Sequence, residues 1–224
     1  MLKRIPLILM LGCVLLFTAQ VHAGQSPILA VQTAVDAIIG LLKDEALDTE
    51  QRRSKMREII SGRFDFRAMS QRTLATNWKK ASKEEQQQFV GLFAQLIQNS
   101  YIGKVETYTS ETVEYSGEKI KGKRAVVNTL IITSSTEIPV NYKLYLKKDE
   151  WRVYDVIIEG ISLISSYRST YQEIVKKDGF PGLFVKMEEK LKELENQPAE
   201  PSALGTSDLF VIARSGVMKQ SPTD

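Results

Sequence analysis

Asp155 is the residue whose type and setting offer the most chemistry. It stands inside a strand-like run, with Tyr142, Tyr154 and Tyr167 the phenols the pattern could bring to it. A carboxylate among tyrosines can move protons. Cone-shaped α+β folds host such chemistry, but fold analogy alone is a weak warrant for function. The plainer role for an aspartate at a strand end is to accept hydrogen bonds that order its own loop. Other catalytic chemistries lack their reagents. The chain has 1 Cys and 1 His, and these are Cys13 and His22. Without them a nucleophile triad has no base, and a zinc site is left with carboxylates alone. No Asp and Gly spacing of a calcium loop occurs.

Cys13 and His22 both lie in a segment that reads as a secretion signal, residues 1–23. Lys3 and Arg4 open it, Ile5 to Phe17 is apolar, and Val21-His22-Ala23 precedes a cut before Gly24. The run is shorter than the roughly 20 apolar residues of a membrane span. An uncleaved anchor lacks a stop-transfer charge cluster after it. A lipoprotein site at Leu11-Gly12-Cys13 is disfavoured because the apolar run continues past Cys13. Export to the periplasm is therefore expected. The whole chain carries 30 Lys+Arg and 27 Asp+Glu, and removing Lys3 and Arg4 leaves it nearly balanced. Basic and acidic residues alternate, as in Lys83-Glu84-Glu85, where a nucleic-acid binder would gather its cations on one face. No nucleic-acid partner is expected.

The elements that must position any site fall into three groups. Ser26-Pro27 opens a helix carrying Ile28, Val31, Val35, Ile38, Ile39 and Leu42. Asp48 with Gln51 forms a capping box for a second helix, which Gly62 stops. A short third helix holds Phe66, Met69 and Leu74. Ser82 with Glu85 caps the principal helix, whose stripe is Phe89, Leu92, Phe93, Leu96, Ile97, Tyr101 and Val105. From Thr112 the period becomes two. A first strand turns near Gly117, and Arg124 to Thr133 forms the second. Thr136 to Lys147 is the third, with Pro139 marking a sheet edge or strand start. After a turn at Lys148-Asp149, the fourth strand puts Trp151, Val153, Asp155 and Ile157 on one face. Helical period returns after Gly160, breaks at Gly179 to Gly182, and resumes to Leu194.

This pattern predicts an α+β fold, with a curved antiparallel four-stranded sheet covered by amphipathic helices. Residues 24–196 form the domain. Residues 197–224, with Pro198, Pro201 and Pro222 among small polar residues, are expected to be a disordered tail. Its apolar tetrad, Leu209 to Ile212, could dock on the domain or on a partner. The second and fourth strands are apolar on both faces for part of their length, whereas antiparallel sheets commonly leave one face wet. Either helices cover both faces or one face lines an apolar cavity, and periodicity does not separate the two.

Several residue runs resemble one family. Phe64-Asp65-Phe66, Met69-Ser70, Trp78, Ala81-Ser82, Glu85-Gln86 and Phe89 come first. Trp151-Arg152-Val153-Tyr154-Asp155-Val156, Glu159-Gly160-Ile161-Ser162-Leu163 and Tyr167-Arg168 follow much later. In order and spacing they are similar to the MlaC family, also described as the toluene-tolerance auxiliary component, from about residue 28 to about residue 195. Ala75 stands where a Gly is common, and Ser166 where Asn often precedes Tyr-Arg.

The resemblance implies a soluble periplasmic phospholipid carrier whose apolar pocket takes acyl chains while the head group stays near solvent. It implies partners on both sides: an outer-membrane lipoprotein complex, and an inner-membrane ABC transporter with its substrate-binding subunit. The implied role is to support outer-membrane lipid asymmetry, as a monomer and with phospholipid as cargo instead of any cofactor. Physics fits that role independently. Two acyl chains hold roughly 30 methylenes, and exposing them at about 0.8 kcal/mol each costs on the order of 20 kcal/mol. A carrier needs a cavity on the order of 1,000 Å³, and it must release its cargo while docked.

The expected lining comes from the apolar stripes alone: Phe66, Trp78, Phe93, Leu96, Val127, Ile131, Val140, Tyr142, Leu144, Val153, Ile157, Leu163 and Tyr167. Each could equally be packed core. Arg168, and backbone N–H groups at a helix start near Ser162, could meet a lipid phosphate. The plainer alternatives are that Ser162 is an N-cap and that Arg168 pairs with Asp155 or Glu159. A small-molecule enzyme using Asp155, or a scaffold without ligand, are the competing functions.

Overall fold

The computed structural model describes residues 25–107 and 111–196. The expected secretion signal at 1–23 and the tail at 197–224 lie outside the described residues. Helix α1 (Pro27–Leu42) starts where Ser26 accepts from the Leu29 amide, with Pro27 in its first turn. Both predicted capping boxes are formed, Asp48 with Gln51 opening α2 (Thr49–Arg63) and Ser82 with Glu85 opening α4 (Lys83–Val105). Between them lie α3 (Phe66–Leu74), capped by Asp65, and a 3-10 turn, Ala75–Lys79. Helix α5 (Leu163–Asn196) breaks at Gly179, whose φ of 67° and ψ of −171° suit glycine alone. Among the described residues no helix is long and apolar enough to cross a membrane.

The strands are β1 (Thr112–Lys121), β2 (Arg124–Ile132), β3 (Glu137–Lys147), β4 (Glu150–Ile158) and β5 (Ile161–Ser162). They form one antiparallel sheet in the order β1-β2-β3-β4-β5. The sheet thus has five strands where the sequence pattern indicates four; β5 is too short to carry a period. The first strand does not turn near Gly117, which sits at a bulge opposite Asn128. The chain turns instead at Gly122, φ 58°. Pro139 lies at the start of a central strand, not at an edge.

One sheet face packs on the helices. Ala125, Val127, Thr129, Ile138, Val140, Leu144, Trp151, Val153, Val156 and Ile158 are all buried there. Helix α1 contacts β1 and β2, while α2, α3 and α5 contact β4. Behind them α4 and α5 meet through an aromatic stack. Phe93 lies 5.5 Å from Phe89, 5.4 Å from Tyr167 and 6.3 Å from Tyr171. The opposite face holds half-buried Val126, Leu130 and Ile157 beside Asn128, Asn141 and Lys143.

A second bulge corrects the predicted alternation in β4. Lys143 faces Asp155 while its neighbour Leu144 faces Val153, so Tyr154 is an extra residue. Side chains switch faces across such an insertion. Trp151 and Val153 keep to the helix-covered face, which Val156 and Ile158 then continue, while Asp155 and Ile157 are thrown to the other side. The free edge of β4 beside Val153 is closed by Phe64, through a parallel bridge and a 2.9 Å bond from the Asp65 amide to the Val153 carbonyl.

Candidate functional site

Most of the predicted lining is packed interior. Phe93, Val127, Leu144 and Val153 present no surface at all, and Trp78, Leu96, Val140, Leu163 and Tyr167 are buried with them. Arg67 stacks over the Trp78 ring at 5.3 Å. Phe66 is half-buried against Phe64, ring centroids 6.1 Å apart, near the β4 edge. Ile157 is on the outer face. Two predicted residues differ in kind. Ile131 and Tyr142 lie on the inner face and pack against the core, yet keep accessible surface.

Tyr142 is the informative one. Burial pushes its phenol up to about 12, yet the residue is half-buried, unlike its buried strand neighbours Val140 and Leu144. Tyr101 on α4 shows the same combination of depth and open surface, its phenol raised first by burial and then by Tyr167. Tyr115 on β1 follows, raised first by burial and also by nearby Asp36 and Tyr142. Its hydroxyl is buried without a hydrogen-bond partner. Such a group costs about 1–3 kcal/mol unless something pairs with it.

Tyr115, Ile131 and Tyr142 lie on three neighbouring strands of the inner face. Register places Val127 opposite Tyr142, Tyr115 opposite Thr129 and Ile131 opposite Ile138. Ile28 and Val35 on α1, which contacts β1 and β2, complete the set. Further along α1, Ile38, Ile39, Leu41 and Leu42 are also only half-buried. The raised phenols of Tyr101, Tyr115 and Tyr142 stay neutral at physiological pH. Sequence reasoning did not select Tyr101, Tyr115, Ile28 or Val35 as lining. Their stripes were visible, but depth with open surface is a tertiary property.

The polar candidates have structural partners. Ser162 accepts from the Ser165 amide at 3.1 Å, as an N-cap does, and its hydroxyl donates to Asp155 at 2.8 Å. Asp155 also accepts from the Ile164 amide at 3.2 Å and pairs with Lys143 at 3.4 Å. That is the loop-ordering role. The proton-transfer group does not assemble around it, because Tyr142 pairs with Val156 on the opposite sheet face. Tyr154 instead meets Tyr145 and lies under Arg72, 4.3 Å away. Arg168 donates its Nε to the Arg72 carbonyl at 2.9 Å, holding α5 to α3, and is not a partner of Asp155. Among the described residues no group of three or more acidic, His or Cys side chains could hold a metal ion.

The MlaC protein family model matches residues 32–189. This chain belongs to the MlaC family. A relative from Haemophilus influenzae, an intermembrane phospholipid transport system binding protein, is 22% identical over 188 residues. That match covers 80% of this chain and 88% of the relative. A toluene tolerance protein of Pseudomonas putida is 25% identical over 167 residues, 70% of this chain and 76% of that one. The fold also matches a phospholipid-binding protein from Ralstonia solanacearum, solved in complex with a phospholipid. There the TM-score is 0.69 at 24% identity, covering 75% of this chain and 98% of the other. MlaC-family membership accounts for the α+β fold and for the residue runs from Phe64 to Arg168 that resemble the family.

Proposed function

We propose that this MlaC-family protein is a periplasmic phospholipid carrier. Its acyl-chain site is the space bordered by the inner sheet face, α1 and the Tyr101 end of α4. The observation that supports this reading is Tyr142 on the inner sheet face, deep enough for burial to raise its phenol yet only half-buried, as a residue lining an interior hollow would be. Ile131, Tyr101, Tyr115 and Val35 extend the same lining. The Haemophilus influenzae relative named for phospholipid transport and the phospholipid complex of the structural neighbour point to the cargo. Lipid is taken from and delivered to an inner-membrane ABC transporter with its substrate-binding subunit and an outer-membrane lipoprotein complex, supporting outer-membrane lipid asymmetry. Release into water would cost on the order of 20 kcal/mol, so each transfer occurs in a docked state. No reaction is assigned, since Asp155 is engaged in holding the start of α5.

The test is purification without detergent followed by lipid mass spectrometry. About one phospholipid per protein is expected; a lipid-free protein under several gentle preparations contradicts carriage. Ile131→Trp, which fills the hollow from β2, is expected to cut the bound lipid severalfold with the circular dichroism spectrum unchanged. Undiminished loading in that variant would place the acyl chains elsewhere.

A further inference from the structure

The hairpin joining β1 to β2 gathers four cations within six residues. Lys119, Lys121, Lys123 and Arg124 are all exposed, and none takes part in an ion pair. Elsewhere the charges are interspersed and nearly balanced. The one acid within the tip is Glu118, and its Oε2 accepts from the Ile28 amide at 2.6 Å, tying the first turn of α1 to β1. At the adjacent β3–β4 turn, which the Leu146 amide links to the Lys123 carbonyl, Lys148 is offset by Asp149, and Lys147 is engaged by Asp65. Glu150 there pairs with Arg152. The four cations of the tip therefore have no counter-charge of their own.

The same corner is also apolar. Among the described residues three large hydrophobic side chains are exposed, Leu29, Ile120 and Val185. Two of them flank the Glu118 contact. Ile120, 51% exposed, is two residues along β1 on the same face as Glu118, and Leu29, 49% exposed, follows Ile28. A single exposed isoleucine needs no explanation. Register sets Ile120 opposite Ala125 on the inner side and Lys119 and Lys121 opposite Val126 and Arg124 on the other, so the end of the hairpin carries exposed aliphatic side chains on one side and unpaired cations on the other, and a surface met end-on touches both. Lysines on an edge strand also discourage strand pairing, but these gather at the tip, and Thr112, Glu114 and Ser116 along the rest of that edge are not basic.

We propose that this corner docks on an anionic phospholipid surface, the cations against head-group phosphates and Ile120 and Leu29 at the interface with the acyl region. None of these four cations, nor Ile120 or Leu29, is among the residues of the proposed acyl-chain site, and docking does not depend on that site being loaded. Each cation held near an anionic bilayer strengthens binding about fivefold, so the four together contribute several-hundred-fold. The attraction decays within about 8 Å at physiological ionic strength, so contact has to be close.

The test is co-sedimentation of the purified protein with vesicles of phosphatidylcholine alone or with phosphatidylglycerol added. Binding is expected only to the anionic vesicles and is expected to weaken steeply as salt rises. Replacing Lys119, Lys121, Lys123 and Arg124 together by Gln is expected to lower that binding at least a hundredfold, and Ile120→Ser several-fold. In both variants the lipid that co-purifies with the protein should be unchanged, which separates this surface from the carrier site. Absence of binding to anionic vesicles overturns the proposal, as does a quadruple variant that binds like the parent. Retention on polyglutamate without vesicle binding also overturns it, in favour of an acidic protein partner.

Discussion

The Asp65 carboxylate caps α3 through the Ala68 amide at 2.8 Å and accepts from the Tyr145 hydroxyl and from Lys147 at 2.6 Å. Burial by itself would raise this carboxyl, but Lys147, Tyr145 and the Ala68 amide outweigh it and hold it below the ordinary carboxylate range. An unfolded aspartate titrates near 3.9. Because the folded value is lower, the stabilisation is complete above that pH and is lost as pH falls through the folded value. Lys147 is half exposed, so the ion pair alone contributes little; the cap and the charge-assisted bonds dominate. Asp65→Asn is expected to cost about 2 kcal/mol at pH 7, and much less near pH 2. Urea unfolding at the two pH values measures this, and an equal deficit at both would remove the charge from the explanation. Sequence alone marked Asp65 only as part of a motif. Its partners, Tyr145 and Lys147, lie 80 and 82 residues away.

At the scale of elements, local chemistry was legible and insertions were not. The capping boxes at Asp48 and Ser82 fixed two helix starts because every participating atom lies within one turn. The Lys148-Asp149 turn was equally readable, with both residues at positive φ as a two-residue hairpin requires. Bulges at Gly117 and Tyr154 leave no trace in a period-two pattern, because the alternation simply continues in the sequence while the pairing shifts. That shift moved Ile157 away from the predicted lining and separated Asp155 from Tyr142. The junction after α3 is also informative. Ala75, at a position where the resemblance suggests Gly, adopts φ 50° and ψ −118°. An L side chain there carries strain of about 1–3 kcal/mol, part of which glycine would return as chain entropy in the unfolded state. Ala75→Gly is therefore expected to stabilise the protein by about 1 kcal/mol. A chemical-denaturation midpoint that stays put or falls would show that the neighbouring helices, not the Cβ, set this backbone.

For the molecule as a whole, the surplus of apolar strand positions has a division of labour. Phe93, Val127, Leu144 and Val153 are fully buried, while Tyr142, Tyr101 and Ile131 stay half-buried and, in the proposed carrier, border the cargo. Which residue stays half-buried depends on how α1 packs on β1 and β2 and how α4 packs on α5, and no single stripe encodes that. A consequence concerns stability. Interiors are otherwise packed to crystal-like density, so an unfilled hollow forfeits contacts that a bound acyl chain would supply. A ligand that binds only the folded state stabilises it by about 4 kcal/mol when present at a thousandfold excess over Kd. In a domain of this size each 1 kcal/mol moves Tm by roughly 2–4 °C. Stripping the lipid is thus expected to lower Tm by about 10 °C, with recovery when phospholipid is returned. Ile131→Trp should show a smaller drop, because the indole already occupies part of the space. Calorimetry on loaded, stripped and reloaded protein reads this directly. A Tm indifferent to lipid in the parent would mean that the half-open surfaces of Tyr142 and Ile131 do not face a cargo site.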